Sequence, residues 1–165
     1  MKSTGFTLIE MLIVVALTAI ILMLAAPSLN FTSTTASLDA MSKSIDKDIA
    51  LARSQALSSG RYVTMCLTNA SNECATSELE GQIIFIDMNS DGVYDSGTDK
   101  TIAKNLLNNS KFTVTPSQTS FSFTPMGKPT SAGTISLCPN DTSITQGYEI
   151  TLLLTGAHTL TTKTC

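Results

Sequence analysis

The stretch from Phe6 to Ala26 constrains this chain most: about 21 residues of nearly unbroken apolar character carrying a single acid, Glu10. A helix of that length, rising about 1.5 Å per residue, crosses a hydrocarbon core roughly 30 Å thick, so residues 6–26 read as a membrane span. What precedes it is short and polar, Met1 to Gly5, with Lys2 as the only charged side chain. A cleaved secretory signal has a shorter apolar region with small residues after it. Here Ser3, Thr4 and Gly5 come before the apolar run, so any cut falls ahead of the span and removes residues 1–5. Glu10 is the anomaly, because a carboxylate at the membrane centre costs about 2.5–3.5 kcal/mol. It needs a partner, or else an interfacial position where it snorkels or takes up a proton.

The segment Gly5-Phe6-Thr7-Leu8-Ile9-Glu10 resembles the signature of type IV prepilins and type II secretion pseudopilins. The resemblance implies that a prepilin peptidase cuts between Gly5 and Phe6 and methylates the new Phe6 amine, giving N-methylphenylalanine. It also implies that Glu10 meets the Phe6 amine of a neighbouring subunit during filament growth. Such a pair is physically sound, since an ammonium and a carboxylate packed among apolar helices offset a burial cost that neither bears alone. Pro27 follows the apolar run. Within a helix it removes a hydrogen bond and kinks or locally melts the backbone, marking a helix break; the alternative is that it ends the span.

Beyond the span, apolar residues recur at Leu38, Met41, Ile45, Ile49, Ala52 and Ala56. These spacings of three and four predict an amphipathic continuation of the helix over 27–60, with Lys43, Asp46, Lys47 and Arg53 facing water and Gly60 as terminator. From residue 61 to 165 the pattern changes to short strand-like runs separated by turns: 62–67, 82–87, 101–106, 111–115, 120–124, 134–138, 148–154 and 159–164. The expected fold is α+β: a long N-terminal helix, membrane-spanning in its first half, packed through its amphipathic second half on an antiparallel β-sheet head. No internal repeat appears.

Within the head, Gly81-Gln-Ile-Ile-Phe-Ile-Asp87-x-Asn89-x-Asp91-Gly92, Phe121-x-Phe123-x-Pro125-x-Gly127, Leu137-Cys138 and Glu149-Ile-x-Leu-x-x-x-Gly156 are similar to the GspH/FimT/FimU group of minor, non-bulk subunits. The resemblance implies a minor pilin that primes type IV pilus assembly and sits at or near the tip, or, by the same physics, an H-type pseudopilin of a type II secretion system. The implied partners are other minor and major pilin subunits, the prepilin peptidase and an inner-membrane assembly platform. The implied location is the bacterial inner membrane, single-pass with a periplasmic head, before incorporation into the filament. A third reading is a DNA- or surface-binding tip pilin. Some FimT relatives capture DNA through arginines after the last glycine, but here Gly156 is followed by Ala157, His158 and Thr159.

Charge agrees with that departure. Ten Lys and Arg against 13 Asp and Glu give a net −3, one unit more negative once Lys2 is removed, whereas phosphate recognition wants a basic stripe. Four cysteines, all beyond the span, suit two disulfides in an oxidising compartment. Of the three possible connectivities, Cys66–Cys74 with Cys138–Cys165 is favoured because each pair is local and its intervening segment can fold back as a hairpin. Asp87, Asn89, Asp91 and Asp95 place oxygens at alternate positions with Gly92 at the bend, the pattern of a calcium loop. Against calcium, Thr98 holds the place of the bidentate Glu, the flanks read as strands, and Asp-Gly is a common hairpin turn. No cofactor is otherwise expected. His158 is the only histidine, and no nucleophile elbow or phosphate loop is present, so no enzymatic activity is expected.

Overall fold

The computed structural model describes residues 7–107 and 109–165, apart from the side chains at 24–30. Its first element is one 52-residue helix, α1 (Leu8–Ser59). Thr7 starts it with an extended backbone and a hydroxyl that accepts the Glu10 N–H at 3.4 Å, satisfying one of the donors a helix leaves unpaired at its start. Gly60 stops it, at φ 64° with its N–H on the Ala56 carbonyl; the left-handed backbone there suits a residue without Cβ. Contrary to the interruption expected at Pro27, α1 is assigned without a break through that position. A proline withdraws one N–H from the ladder, and the helix extends for many turns on either side.

Among the described residues eight strands follow: β1 (Val63–Thr68), β2 (Gly81–Ile86), β3 (Lys100–Leu106), β4 (Phe112–Pro116), β5 (Ser120–Phe123), β6 (Gly133–Pro139), β7 (Gln146–Leu152) and β8 (His158–Thr164). They form two antiparallel sheets, ordered β3-β2-β1-β5 and β4-β6-β7-β8. β5 leaves the second sheet's stretch of chain to pair with β1, Val63 opposite Phe123 and Met65 opposite Phe121, and this crossover interlocks the sheets.

The helical stripe closes the core. Leu38, Ile45, Ile49, Ala52 and Ala56 are all buried, with Met41 partly so, against Val63, Met65 and Leu67 of β1, Phe121 and Phe123 of β5, Ile135 and Leu137 of β6, and Ile150 and Leu152 of β7. Burying each large apolar side chain contributes about 1.5–3 kcal/mol, which makes α1 and both sheets one folding unit. β4 alternates cleanly, with Phe112 and Val114 inward and Thr113 and Thr115 outward, as a strand with one wet face should. β1 is buried on both faces instead. Its second face carries Cys66, which packs with Ile83 and Phe85 beneath Cys74 and Tyr94; the Phe85 and Tyr94 rings lie 5.2 Å apart.

The polar side of α1 departs from expectation at two positions. Lys43 and Lys47 are exposed, but Asp46 and Arg53 are half-buried and both are engaged with the head.

Candidate assembly interface

In its first half α1 is a helix without a partner. Leu8 to Met23 is exposed on every side, from 51% at Val14 to 81% at Leu8 and Met23. Consecutive apolar residues such as Met11 to Val15 cover the whole circumference, so no rotation turns an apolar face away from solvent. Such a surface is stable only under lipid or other helices. Among the described residues no helix is long and apolar enough to cross a membrane; the predicted span, 6–26, reaches past them at Phe6 and at the side chains of 24–26. Gly5 and Phe6, the expected processing site, and the Phe6 end of the expected pair with Glu10 also lie outside the described residues.

Glu10 itself is exposed in the first turn of α1, three residues after its cap. Thr7-Leu8-Ile9-Glu10 is the capping-box spacing, and the positive end of a helix favours an acid there. The Thr7 cap, a signal present in the sequence, fixes where the helix, and so Glu10, begins.

In its second half α1 is locked to the head by polar contacts. Asp48 is buried and its Oδ2 accepts from Gln82 Nε2 on β2 at 2.5 Å and from Asn105 Nδ2 on β3 at 3.2 Å. Burial pushes the Asp48 carboxyl above its ordinary value, and the Asn105 bond pulls the other way. Arg53 reaches into two turns: its Nε donates to the Gly127 carbonyl at 3.0 Å and its Nη1 to the Gly156 carbonyl at 2.8 Å. Both glycines have positive φ, 70° and 83°. A Cβ on Gly127 would come within 2.9 Å of Leu57, and one on Gly156 within 3.0 Å of the guanidinium carbon. The two glycines singled out in the sequence are therefore where the head comes down onto the helix.

Further along the seam, Asp39 bridges Lys43 at 2.8 Å and accepts from Tyr148 at 3.3 Å; the Lys43 hydrogen bond holds the Asp39 carboxyl below its ordinary range. Asp46 Oδ1 lies 3.5 Å from His158 Nε2 at the start of β8, so the lone histidine is part of the same seam. On the outer face of the second sheet, Glu149 accepts from Lys163 at 2.6 Å and from Ser136 at 3.0 Å, and these bonds lower its carboxyl.

Both cysteine pairs are joined as expected, Cys66 to Cys74 and Cys138 to Cys165, with Cα–Cα distances of 5.5 and 5.8 Å. The second bridge packs over Gly147, where a Cβ would collide with Cys165 Sγ and the Leu137 carbonyl.

The acidic loop after β2 uses its oxygens internally. Asp87 is buried, accepting the N–H groups of Ser90 at 2.6 Å and Gly92 at 2.8 Å, with the Thr64 hydroxyl at 3.3 Å. Asp91 accepts from Asn89 Nδ2 and from the Val93 N–H, both at 2.8 Å, and Asp99 from the N–H groups of Met88 and Asp95. Asp95 contributes its backbone N–H to this network, on Asp99 Oδ2. Among the described residues no three His, Cys, Asp or Glu side chains are placed to share a metal ion.

The N-terminal region and the head each match a known family pattern. Residues 1–26 match the prokaryotic N-terminal methylation motif, and residues 42–156, more than half of the chain, match the type II transport protein GspH. The chain belongs to the GspH family. Its members are pilin-type subunits, and the long helix with its two-sheet head is a pilin-like fold.

Solved structures agree on the fold. The type IV minor pilin FimU of Pseudomonas aeruginosa superposes with a TM-score of 0.56 at 18% identity, covering 75% of this chain and 87% of that one. The minor pseudopilin EpsH of the type 2 secretion system of Vibrio cholerae gives 0.54 at 13% identity, covering 76% and 96%. Comparison with curated proteins by sequence gives no match.

Proposed function

We propose that this GspH-family chain is a minor pilin of a type IV pilus, which primes assembly and sits at or near the tip. One observation carries the reading: a capped helix, apolar on every face from Leu8 to Met23 and bearing a single acid at Glu10, is left uncovered by its own head. A helix of this kind is completed by insertion, first among lipids and then among the helices of other subunits. The subunit is held in the inner membrane through residues 6–26 with its head in the periplasm, after the peptidase has cut at Gly5–Phe6 and methylated Phe6. The two disulfides suit that oxidising compartment. Its work is polymerisation with other minor and major pilins on the assembly platform, without catalysis or a bound cofactor.

The H-type pseudopilin is the second reading, favoured by the family match to a type II transport protein and by the likeness to EpsH. A clean deletion strain separates the two. Counting surface pili by microscopy while assaying secreted enzymes in the same cultures should give sparse pili with normal secretion. Normal pili with blocked secretion would make the chain a pseudopilin and remove the tip assignment.

A further inference from the structure

The second sheet has an edge that its own chain leaves unfinished. At the two ends of β4 the Ser117 N–H bonds the Thr134 carbonyl and the Asn140 N–H bonds the Lys111 carbonyl. Antiparallel strands alternate bonded and non-bonded pairs, so Thr113 and Thr115 bond to β6 while Val114, opposite Leu137, turns its N–H and C=O the other way. Its neighbours offer no donor on that side: Phe112 gives its N–H to the Asn109 carbonyl at 3.3 Å, and Pro116 has none. Val114 is only 5% exposed, and among the described residues nothing bonds its two outward groups. Shielded main-chain groups without partners are costly, and nearly all of them in folded chains are paired. The other edges differ: β3 and β8 are largely exposed and served by water, and β5 is covered by Thr130, whose N–H bonds the Ser122 carbonyl.

Val114 also lines a groove of about 800 Å³, together with Thr113, Thr115 and the segment 76–80 that leads into β2. The charged side chains of its described lining are Glu78 and Glu80, with no lysine or arginine among them. Neither carboxylate makes an ion pair among the described residues. The neighbouring cations are placed elsewhere: Lys104 shares an adjoining hollow with Glu80, and Lys111 donates to Ser33 Oγ on α1 at 2.6 Å. Glu78 is thus the groove's uncompensated charge, and its φ of 53° is a backbone conformation that long side chains rarely adopt.

We propose that this groove receives an extended segment of a partner protein, which adds to the free edge of β4 as a further strand and sets a lysine or arginine against Glu78. A donor and an acceptor turned outward from one strand residue are met together by one residue of an incoming extended chain; main-chain bonds then give affinity and the flanking side chains give preference. A second copy is the poorer occupant. Among its described residues the longest segments outside α1 and the strands, 69–80 and 87–99, carry acids and no lysine or arginine, and Glu78 repels them. Its lysine-bearing edge, β3, comes joined to β2, whereas a recess takes a lone strand. Strand addition of this kind needs no filament, so it stands or falls apart from the assembly reading.

The test presents the detergent-solubilised full chain to an array of short peptides that vary in charge and strand propensity, with the chain's own β3 sequence among them. The expected binders are rich in β-branched residues and carry lysine or arginine, and Glu78→Lys should turn the selection toward acidic peptides. Intact disulfides on non-reducing gels certify that this variant is folded. For a selected peptide, N-methylating alternate main-chain nitrogens in one phase should weaken binding at least about tenfold and in the other phase leave it unchanged, because only every second N–H of a strand faces its neighbour. No binder, equal losses in both phases, a selection indifferent to Glu78→Lys, or preference for the β3 sequence each overturns the proposal. Because the readout uses no filament, its failure leaves the assembly reading standing, and a deletion strain with normal pili leaves the groove untouched.

Discussion

At Arg53 one side chain satisfies two carbonyls that belong to turns far apart in sequence, Gly127 and Gly156. Hydrogen bonds from a charged donor contribute about 1.5–3 kcal/mol, and both carbonyls lose their partner together if the guanidinium goes. Arg53→Ala should therefore destabilise the chain by about 2–4 kcal/mol, read as a shift in the denaturant midpoint of the detergent-solubilised protein. Arg53→Lys should recover only part of this, because an ammonium lacks the planar fork that reaches both acceptors. Full recovery by lysine would mean that charge alone, and not the fork, holds the turns. The residue was read from the sequence as facing water because helical periodicity assigns a position to a side of the helix and says nothing about what later closes over that side. The available clue was the pair of motif glycines, each leaving a turn carbonyl that needs a partner once the turn is buried.

Between elements, the joint of α1 with β2 and β3 turns on Asp48. Burial raises its carboxyl above the ordinary 3.8, so the folded chain holds this proton more tightly than the unfolded one. As pH rises from 3.8 through the raised folded value, stability falls, and above that value the slope vanishes. Asp48→Asn removes the ionisation while keeping a carbonyl acceptor for Gln82 and Asn105. Its stability relative to the parent should improve as pH rises through that window and then stay constant to neutrality, measured by thermal melts at a series of pH values. A difference that is flat across the series, or that shrinks with rising pH, would refute the assignment. The elements themselves were largely legible: each strand lies within two residues of its expected ends, because alternation and turn residues are local signals. The local cysteine pairing was legible for the same reason. The pairing order was not, since β5 joining β1 depends on which apolar faces meet in three dimensions. Asp48 escaped notice too, lying next to the apolar stripe without breaking its period.

On the scale of the whole molecule, the chain has two halves with opposite needs: a head that closes its own core and a half-helix that closes nothing. Glu10→Ala tests the second half without touching the first. Cleavage should proceed normally, seen as the mass of the mature N-terminus, while the amount of subunit in sheared filaments falls at least about tenfold, as expected for breaking a buried ion pair. Unchanged incorporation would count against the pair of Glu10 with Phe6. The Arg53 clamp has a further consequence, in time. Its acceptors lie 74 and 103 residues downstream, so while the chain is being made the helix waits for almost the entire head before it can be fastened. Hairpins such as β1–β2 and β7–β8 form from near neighbours and close early; contacts this distant come late. Until then Leu38, Ile45 and Ile49 stand open, and a newly made chain depends in that interval on whatever shields apolar surface from aggregation and proteolysis.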